Sequence, residues 1–304
     1  MSGVITRNNH NSALWPGIRA IFGNKYNEFP LEWPQIFDRA GSNKQFEIDV
    51  ESTGFGYVPQ KSEGGAVQYD SLQEGYKVRY IHNTYAMGYI VTEEELEDNL
   101  YAEISARRAT ALAYSFRQTE EVIHGNLFNR AFNAAYTGGD GVSMINAAHP
   151  TLNGFQSNQL AIAADLSEAS LEDMLIQISA AQDSRGLLIK LMGEKLIVPR
   201  QEIFNATRLV STPLQPDSDL NNVNAMMTLG MLPKGVMVWH YLTDPDAWFV
   251  KTNAPRGMVH LDRVKLGQLQ QDNDFGTGNA LAKNRCRYSL GWTDWRCMFG
   301  SAGA

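Results

Sequence analysis

Cysteine is scarce in this sequence, with Cys286 and Cys297 the only two among 304 residues. Two thiols are too few for a disulfide framework or a four-thiolate metal site, and they fit a reducing compartment. Clusters of lysine and arginine are also missing, and the formal net charge is −7. This balance argues against a dedicated nucleic-acid-binding surface. Such a protein could still enclose nucleic acid without binding it tightly.

Long hydrophobic runs are absent as well. No apolar run approaches the roughly 18 residues of a membrane span, and Met1 to Arg7 lack the core of a signal peptide. We therefore expect a soluble protein, cytosolic where it is made, with no membrane partner. Because 43% of the residues are hydrophobic and 19% are charged, the chain can bury a sizeable core and form more than one lobe.

Catalytic and metal-binding motifs are also lacking. No histidine has a second histidine or a carboxylate at the spacing of a ligand motif such as His-Glu-x-x-His. The six histidines are His10, His82, His124, His149, His240 and His260. The stretch Asp272 to Gly276 faintly resembles a calcium loop, but Lys283 stands where a bidentate glutamate should follow. Gly276 to Asn279 lacks the Lys-Ser/Thr of a phosphate loop. We predict no catalytic, cofactor-binding or metal site, and no enzyme.

Asp244-Pro245-Asp246 is the remaining candidate for catalysis, because it places two carboxylates two residues apart. The same residues are typical of a turn, which a hairpin between Tyr241 and Trp248 would need. The turn is the preferred interpretation. An unrecognised hydrolase using these aspartates or a lone histidine stays as an alternative, and it would require titratable groups converging in a pocket.

What the sequence does contain is one long helix, predicted from residue 92 to about 136. Thr92 and Glu95 form a capping-box pattern at its start, and Gly138-Gly139 mark its end. Apolar residues recur at helical spacing in between: Leu96, Leu100, Ile104, Leu112, Phe116, Ile123, Leu127 and Phe132. Because these positions do not keep a strict heptad, a spine laid against a sheet is favoured over a coiled-coil strand.

Two extended segments precede this spine. Residues 1–44 are rich in aromatic side chains but broken by Pro16, Pro30 and Pro34, which suggests an arm lying along another surface. An extension packed on its own core is the alternative. Residues 45–91 alternate between apolar and polar side chains on either side of a polar stretch from Pro59 to Gly75, and so predict a long hairpin with a mobile end.

The rest of the chain is mixed. Residues 140–159 are predicted to be loop, and a helix should start at Ser167 or Ser170 and end at Gly186. A buried strand is expected at 195–199, a helix at 201–210 and an exposed loop at 212–224. Further strands are predicted within 236–242, 248–251, 259–269 and 285–299.

This order of elements resembles the major capsid proteins of tailed bacteriophages. Three stretches look like those of Mu-like prophage major head subunits: Gly88 to Asn99 (GYIVTEEELEDN), Ala147 to Pro150 (AAHP) and Leu196 to Pro199 (LIVP). The resemblance implies an α+β fold of four parts. They are an N-terminal arm (1–44), an extended β-hairpin loop (45–91), a peripheral domain with the spine helix (92–186), to which residues 276–304 return, and an axial domain (187–275).

The resemblance also implies a structural role. The family assembles as hexamers and pentamers in an icosahedral or prolate shell around double-stranded DNA, with a portal, and the subunit is part of the virion after assembly in the host bacterial cytoplasm. No long N-terminal scaffolding segment is seen, so a separate scaffold protein is expected, while a decoration protein is left open. Some relatives cross-link a loop lysine to an asparagine, but nothing selects Lys61 and the nearby Glu63 for this. An encapsulin-like compartment enclosing enzymes is the alternative, and no cargo-binding site is legible.

Overall fold

The computed structural model describes residues 22–28, 30–97, 101–214 and 222–304. In this part of the chain the strands form two main sheets, and the helices pack against them. The helices are α1 (22–28), α2 (Glu93–Glu97), α3 (Tyr101–Asn129), α4 (Glu168–Ser179), α5 (Ile203–Ser211) and α6 (Ala225–Leu229). The strands are β1 (Asp38–Gly41), β2 (Phe46–Ser52), β3 (Glu74–Ile81), β4 (Asn83–Val91), β5 (His149–Thr151), β6 (Gly154–Gln156), β7 (Gly193–Val198), β8 (Val236–Val238), β9 (Trp248–Thr252), β10 (Met258–Val264), β11 (Gln270–Asn273), β12 (Ala280–Trp292) and β13 (Met298–Ser301).

The first layer, called here the spine sheet, contains β1, β10, β12, β11 and β4. Its centre is β12, which pairs with β4, β10 and β11 in antiparallel fashion. Helix α3 covers this sheet, because Leu112 and Phe116 pack with Ala282 and Tyr288 in one buried cluster. The predicted arrangement of a spine against a sheet is therefore observed.

The second layer, the lobe sheet, has the order β13-β9-β7-β8 and is buried on both faces. Successive side chains of a strand point to opposite faces, and on β7 Leu196 and Val198 join one core cluster while Ile197 joins another. On β9, Trp248 and Phe249 divide in the same way. Helices α4, α5 and α6 supply Leu175, Leu209 and Met226, among others, to the first of these clusters.

The spine helix begins as predicted but ends earlier. The Glu95 backbone N–H donates to Thr92 Oγ1 at 3.4 Å, which is half of the capping box. Helix α3 stops at Asn129 rather than near residue 136, because the Asn129 side chain binds Tyr241 O and the Thr243 N–H in the lobe. Residues 98–100 lie outside the described part, so continuity from α2 to α3 stays a prediction, as do the contacts of the Leu96, Leu100 and Ile104 side chains.

Where it is described, the N-terminal segment packs on its own chain, as in the alternative interpretation; an arm that also lies along another surface stays a prediction. Trp33, Ile36 and Phe37 are at most 3% exposed and lie in the core cluster with the end of α3. Lys251 Nζ donates to Ile36 O at 2.7 Å. Burial of these aromatic and aliphatic side chains stabilises the attachment of the N-terminal segment to the core. Residues 1–21 and 29, including Leu14, Trp15 and Ile18, lie outside the described residues.

The predicted hairpin of 45–91 is shorter than expected. Strand β2 pairs with β3 from Phe46 to Ser52, but β4 pairs with β12 instead. The change of partner falls at His82, whose ring nitrogens lie 3.1 Å from Ser42 Oγ and 3.0 Å from Ser289 Oγ. A period of two continues through both strands, so alternation alone could not reveal the change.

Smaller differences follow from local capping and turns. Helix α4 has Ser167 as its N-cap, in a capping box with Ser170, and ends at Ser179. Gly186 sits beyond it in a separate turn with φ of 83°. The predicted loop of 140–159 contains the short hairpin β5–β6, and the predicted strand at 236–242 stops at Val238. Residues 215–221 of the expected loop at 212–224 are outside the described part.

Sheet membership does not follow the expected domain boundary at 275/276. Strands β10 and β11, within the segment assigned to the axial part, pair with β12 in the spine sheet. Strand β13, in the C-terminal segment, pairs with β9 in the lobe sheet. The chain therefore passes between the two sheets more often than a division into consecutive segments would predict. Hydrogen-bonded pairing, and not order in the sequence, decides which strands share a sheet.

Candidate assembly surfaces

The hairpin β2–β3 presents apolar side chains that its own subunit leaves exposed. Six large apolar side chains between the two strands are more than half exposed, and three of the six lie within the stretch 59–75 that was predicted to be polar. The six are Phe55, Tyr57, Val58, Val67, Tyr69 and Leu72. Exposed apolar residues grouped on one projection are typical of a surface that another molecule covers.

The hairpin is also tied to the lobe, so its end is not unsupported as the sequence suggested. Arg185 donates to both carboxylate oxygens of Asp70, at 2.5 and 3.3 Å, and to Ser71 O at 2.7 Å. The Arg185 guanidinium, with the N–H groups of Gly56 and Ser71, lowers the pKa of Asp70 to about 2. The contact fixes the hairpin's direction relative to the lobe.

A polar cleft of about 380 Å³ lies where the hairpin meets the lobe. Three of its charged groups bind one another, because Arg296 lies 3.5 Å from Glu51 and 3.2 Å from Asp294. The Ser184 hydroxyl donates to Glu51 at 2.6 Å. These contacts connect the hairpin to the lobe across the cleft.

An apolar groove of about 560 Å³ runs between α4 and α6 on the lobe. Ile176, Leu188 and Leu229 line it and are each about two-thirds exposed or more, at 67%, 65% and 71%. Leu175 and Met226 form its buried floor. This groove is the second candidate surface for a neighbouring molecule.

The five histidines within the described residues, which looked isolated in the sequence, have structural partners, whereas His10 lies outside the described part. His149 is fully buried, with Nδ1 2.6 Å from Asp140 Oδ2 and Nε2 3.0 Å from Asn158 Oδ1, and its ring stacks on Trp295 at 4.3 Å. Asn158 in turn donates to Met144 O. The stretch of residues 147–150 is thus the anchor of a loop.

The structure also joins His124 of α3 to His260 of β10, whose facing ring nitrogens are 3.0 Å apart. Sequence reasoning missed this pair because 136 positions separate its members, and no local spacing links a helix to a distant strand. His124 lies on the buried side of the spine, together with Glu120 and Glu121.

The candidate catalytic and calcium-binding residues serve as turns. Asp244 and Asp246 are both exposed, and the Asp246 N–H donates to Asp244 Oδ1 at 3.2 Å. The Asp274 carboxylate accepts from the Gly276 N–H and the Thr277 hydroxyl, closing the turn from β11 to β12. Lys61 and Glu63 are exposed in the hairpin end.

Two properties hold for the described ranges. Among residues 22–28, 30–97, 101–214 and 222–304, no group of three or more His, Cys, Asp or Glu side chains has the geometry to hold a metal ion. Within the same ranges, every helix is too short or too polar to cross a membrane.

Comparison with known proteins gives the family. Residues 75–300, about three quarters of the chain, match the sequence model of the family described as phage capsid protein. A search of curated proteins returned no matching sequence.

Three solved structures share the fold over at least 90% of this chain. The capsid of an empty GTA particle is 12% identical, with a TM-score of 0.56, and 90% of each chain is covered. A virus-like particle from Pyrococcus furiosus is 11% identical, with a TM-score of 0.53, covering 93% of this chain and 97% of that one. Mycobacterium phage Patience gives 11% identity and a TM-score of 0.53, covering 99% and 89%.

These likenesses confirm the α+β tailed-phage capsid fold, and the family match favours the capsid over an enzyme compartment or a hydrolase. The relatives found are structural capsid proteins. The chain belongs to the phage capsid protein family and is a major capsid protein, a structural subunit of a phage head.

Proposed function

We propose that this protein assembles into hexameric and pentameric capsomers that close into an icosahedral or prolate shell around double-stranded DNA. The observation that carries the proposal is the hairpin with its exposed apolar side chains between Phe55 and Leu72. A neighbouring subunit would bury them, and each small contact would be repeated over every copy in a closed symmetric assembly.

In this proposal the parts of the subunit have separate roles. The hairpin of residues 46–81 is the extended loop, and the spine sheet with α3 is the peripheral domain. The lobe sheet with α5 and α6 is the axial domain, and α4, which was assigned to the peripheral domain by its position in the sequence, packs on it. The apolar groove between α4 and α6 would meet an adjacent subunit. Residues up to 44 form the arm, anchored at its described end.

The proposed partners follow from the family. A separate scaffold protein and a portal would act during assembly in the host bacterial cytoplasm, and the finished subunit would reside in the virion; a decoration protein is left open. With a net charge of −7, contacts with DNA would be non-specific. The protein would have no catalytic activity, because its paired carboxylates close turns and its buried histidines hold structural contacts.

Deleting Gln60 to Tyr69 tests the proposal. The deletion keeps Asp70 and its contact with Arg185, so subunits should stay folded, whereas closed shells should not form. Negative-stain electron microscopy of the chain with and without its scaffold would show free subunits or capsomers instead of shells. A variant with only Lys61→Ala is the matched control and should assemble normally. Closed shells from the deletion variant would refute the role given to the hairpin.

A further inference from the structure

A buried cluster joins the N-terminal segment to the spine helix and the spine sheet. At its centre are His124 and His260, which are 0% and 2% exposed. The Trp33 ring stacks on both imidazoles, with centroids 4.3 and 4.4 Å away. On the far side, Asp262 accepts from His260 Nε2 at 3.1 Å and from Arg39 Nε at 2.5 Å. Three parts of the chain thus meet at one pair of rings.

The hydrogen-bond partners of the four ring nitrogens show how many hydrogen atoms the pair carries. His124 Nδ1 lies 2.6 Å from the Glu120 carbonyl oxygen, and a carbonyl only accepts, so Nδ1 carries hydrogen. His260 Nε2 faces the Asp262 carboxylate, which also accepts, so Nε2 carries hydrogen as well. The two remaining nitrogens face each other at 3.0 Å. If both were bare, two lone pairs would oppose each other, so one more hydrogen must lie between them.

We propose that the His124–His260 pair holds one proton more than two neutral imidazoles, and that this buried cation is a pH-sensitive clasp for the segment of residues 30–41. The cation stacks beneath the Trp33 ring, a contact that a neutral imidazole would not make as strongly. It also keeps Asp262 oriented to receive Arg39. Both Trp33 and Arg39 belong to the clasped segment, which leads directly into β2.

The two rings differ in their surroundings. Burial lowers the pKa of His124 to about 3. Burial opposes ionisation of Asp262, but the hydrogen bonds from His260 and Arg39 outweigh it and lower the pKa of this carboxyl to about 2. The ionised Asp262 carboxylate therefore places a negative charge 3.1 Å from Nε2 of His260, on the side of the ring away from His124.

Other titratable groups face the pair from α1, α3 and β12. Glu120 lies next to it with a pKa raised by burial; it accepts from the Tyr26 hydroxyl at 2.8 Å and lies 3.7 Å from Arg117. On β12, burial raises the pKa of Cys286 to about 12 and also raises that of Tyr288, so both stay neutral near neutral pH.

The sign of the effect follows. The excess proton bridges the two rings in the folded arrangement, so its stabilising contribution is lost as the pH rises through the titration of the pair. At acid pH the lowered pKa of His124 works the other way, because the unfolded chain then binds a proton that the folded ring does not. Lys251 still holds Ile36, and Glu121 still accepts from the Trp33 N–H. We therefore expect loosening around Arg39 and not detachment of the whole segment.

Nitrogen-15 NMR of the full chain with labelled histidine measures the proton directly. At mildly acidic pH, His260 should show two protonated ring nitrogens and His124 a neutral ring with hydrogen on Nδ1. One proton should leave the pair in a single step as the pH rises. Single His→Asn substitutions assign the signals, and His82→Asn, outside the pair, should leave the step unchanged. Two neutral rings below the usual histidine pKa of about 6.5 would overturn the proposal.

Limited trypsin digestion across the same pH series tests the clasp. Cleavage after Arg39 is divided by cleavage after the exposed Lys61 in the same digest, so that the enzyme's own pH dependence cancels. The ratio should rise several-fold in step with the NMR titration. Asp262→Asn removes the anion beside the pair and should move both the NMR titration and the rise in the cleavage ratio to lower pH. If this variant does not fold, the pH series on the unmodified chain alone tests the proposal. A flat ratio through the NMR step would refute the clasp.

Discussion

Arg185 Nη1 lies 2.5 Å from Asp70 Oδ2 and Nη2 lies 3.3 Å from Oδ1, so a turn of the lobe holds the hairpin by a bidentate ion pair. These residues are 115 positions apart. The pair sets the resting direction of the surface that we assign to subunit contact.

Arg185→Ala should free the hairpin without unfolding the subunit, because the pair is partly exposed and such pairs add little to global stability. Trypsin cleavage after Lys61 should become several-fold faster at neutral pH, while circular dichroism stays unchanged. Arg200→Ala, at an exposed position on the lobe, is the control.

The same contact should depend on pH and salt. The pKa of Asp70 is lowered to about 2, first by Arg185, so the tie is present above the ordinary aspartate range and is lost as the pH falls through the lowered value. Salt should screen it at neutral pH. Equal cleavage of the two proteins, unmodified and Arg185→Ala, would contradict this account.

Leu112→Pro should abolish soluble folded subunits. Leu112 is 5% exposed in the middle of α3, and proline there removes a backbone hydrogen bond and clashes with the preceding turn, at a cost of about 3 kcal/mol or more. Circular dichroism would show the loss of helix. Leu112→Met nearly keeps the volume and should cost less than about 1.5 kcal/mol. Unchanged helix content in the proline variant would count against α3 as the spine.

Ile176→Asp should block assembly but leave the subunit folded. Ile176 is 67% exposed on the rim of the lobe groove, so the charge costs little in the free subunit yet would be buried against a neighbour. Sedimentation and electron microscopy would detect the loss of shells. Ile176→Leu keeps the apolar surface and should assemble normally. Shells from the aspartate variant would show that the groove stays open in the particle.

Asn158→Ala should destabilise the subunit strongly. The Asn158 amide is fully buried and donates to Met144 O and Met298 O at 2.8 and 2.9 Å. Its oxygen accepts from the Asn146 N–H at 2.8 Å. Each group left unpaired costs about 1–3 kcal/mol, so we expect a loss of about 3 kcal/mol or more in the free energy of unfolding by denaturant titration.

Asn43→Ala is the matched control for this variant, since Asn43 is exposed and should change stability by less than about 0.5 kcal/mol. Similar midpoints for the two variants would mean that the amide of Asn158 does not hold the loop to the C-terminal strand.

The sequence by itself determined the local elements and the class of protein. Thr92 and Glu95 mark the start of the spine, and Ser167 or Ser170 that of α4, because capping depends on residues a few positions apart. The structure selects Ser167. Apolar spacing identified the buried face of α3, and the run at 195–199 predicted β7. Three short motifs in order were enough to indicate a capsid protein.

The tertiary structure alone decided which segments meet. Alternation continued through His82 while the chain left β2 for β12, and nothing local ended α3 at Asn129, whose partners lie on the lobe. Arg185 with Asp70 and His124 with His260 join positions more than a hundred residues apart. Such contacts depend on how the sheets stack, a property of the whole chain, so the anchored arm, the tied hairpin and the buried histidine pair could be found only in the folded subunit.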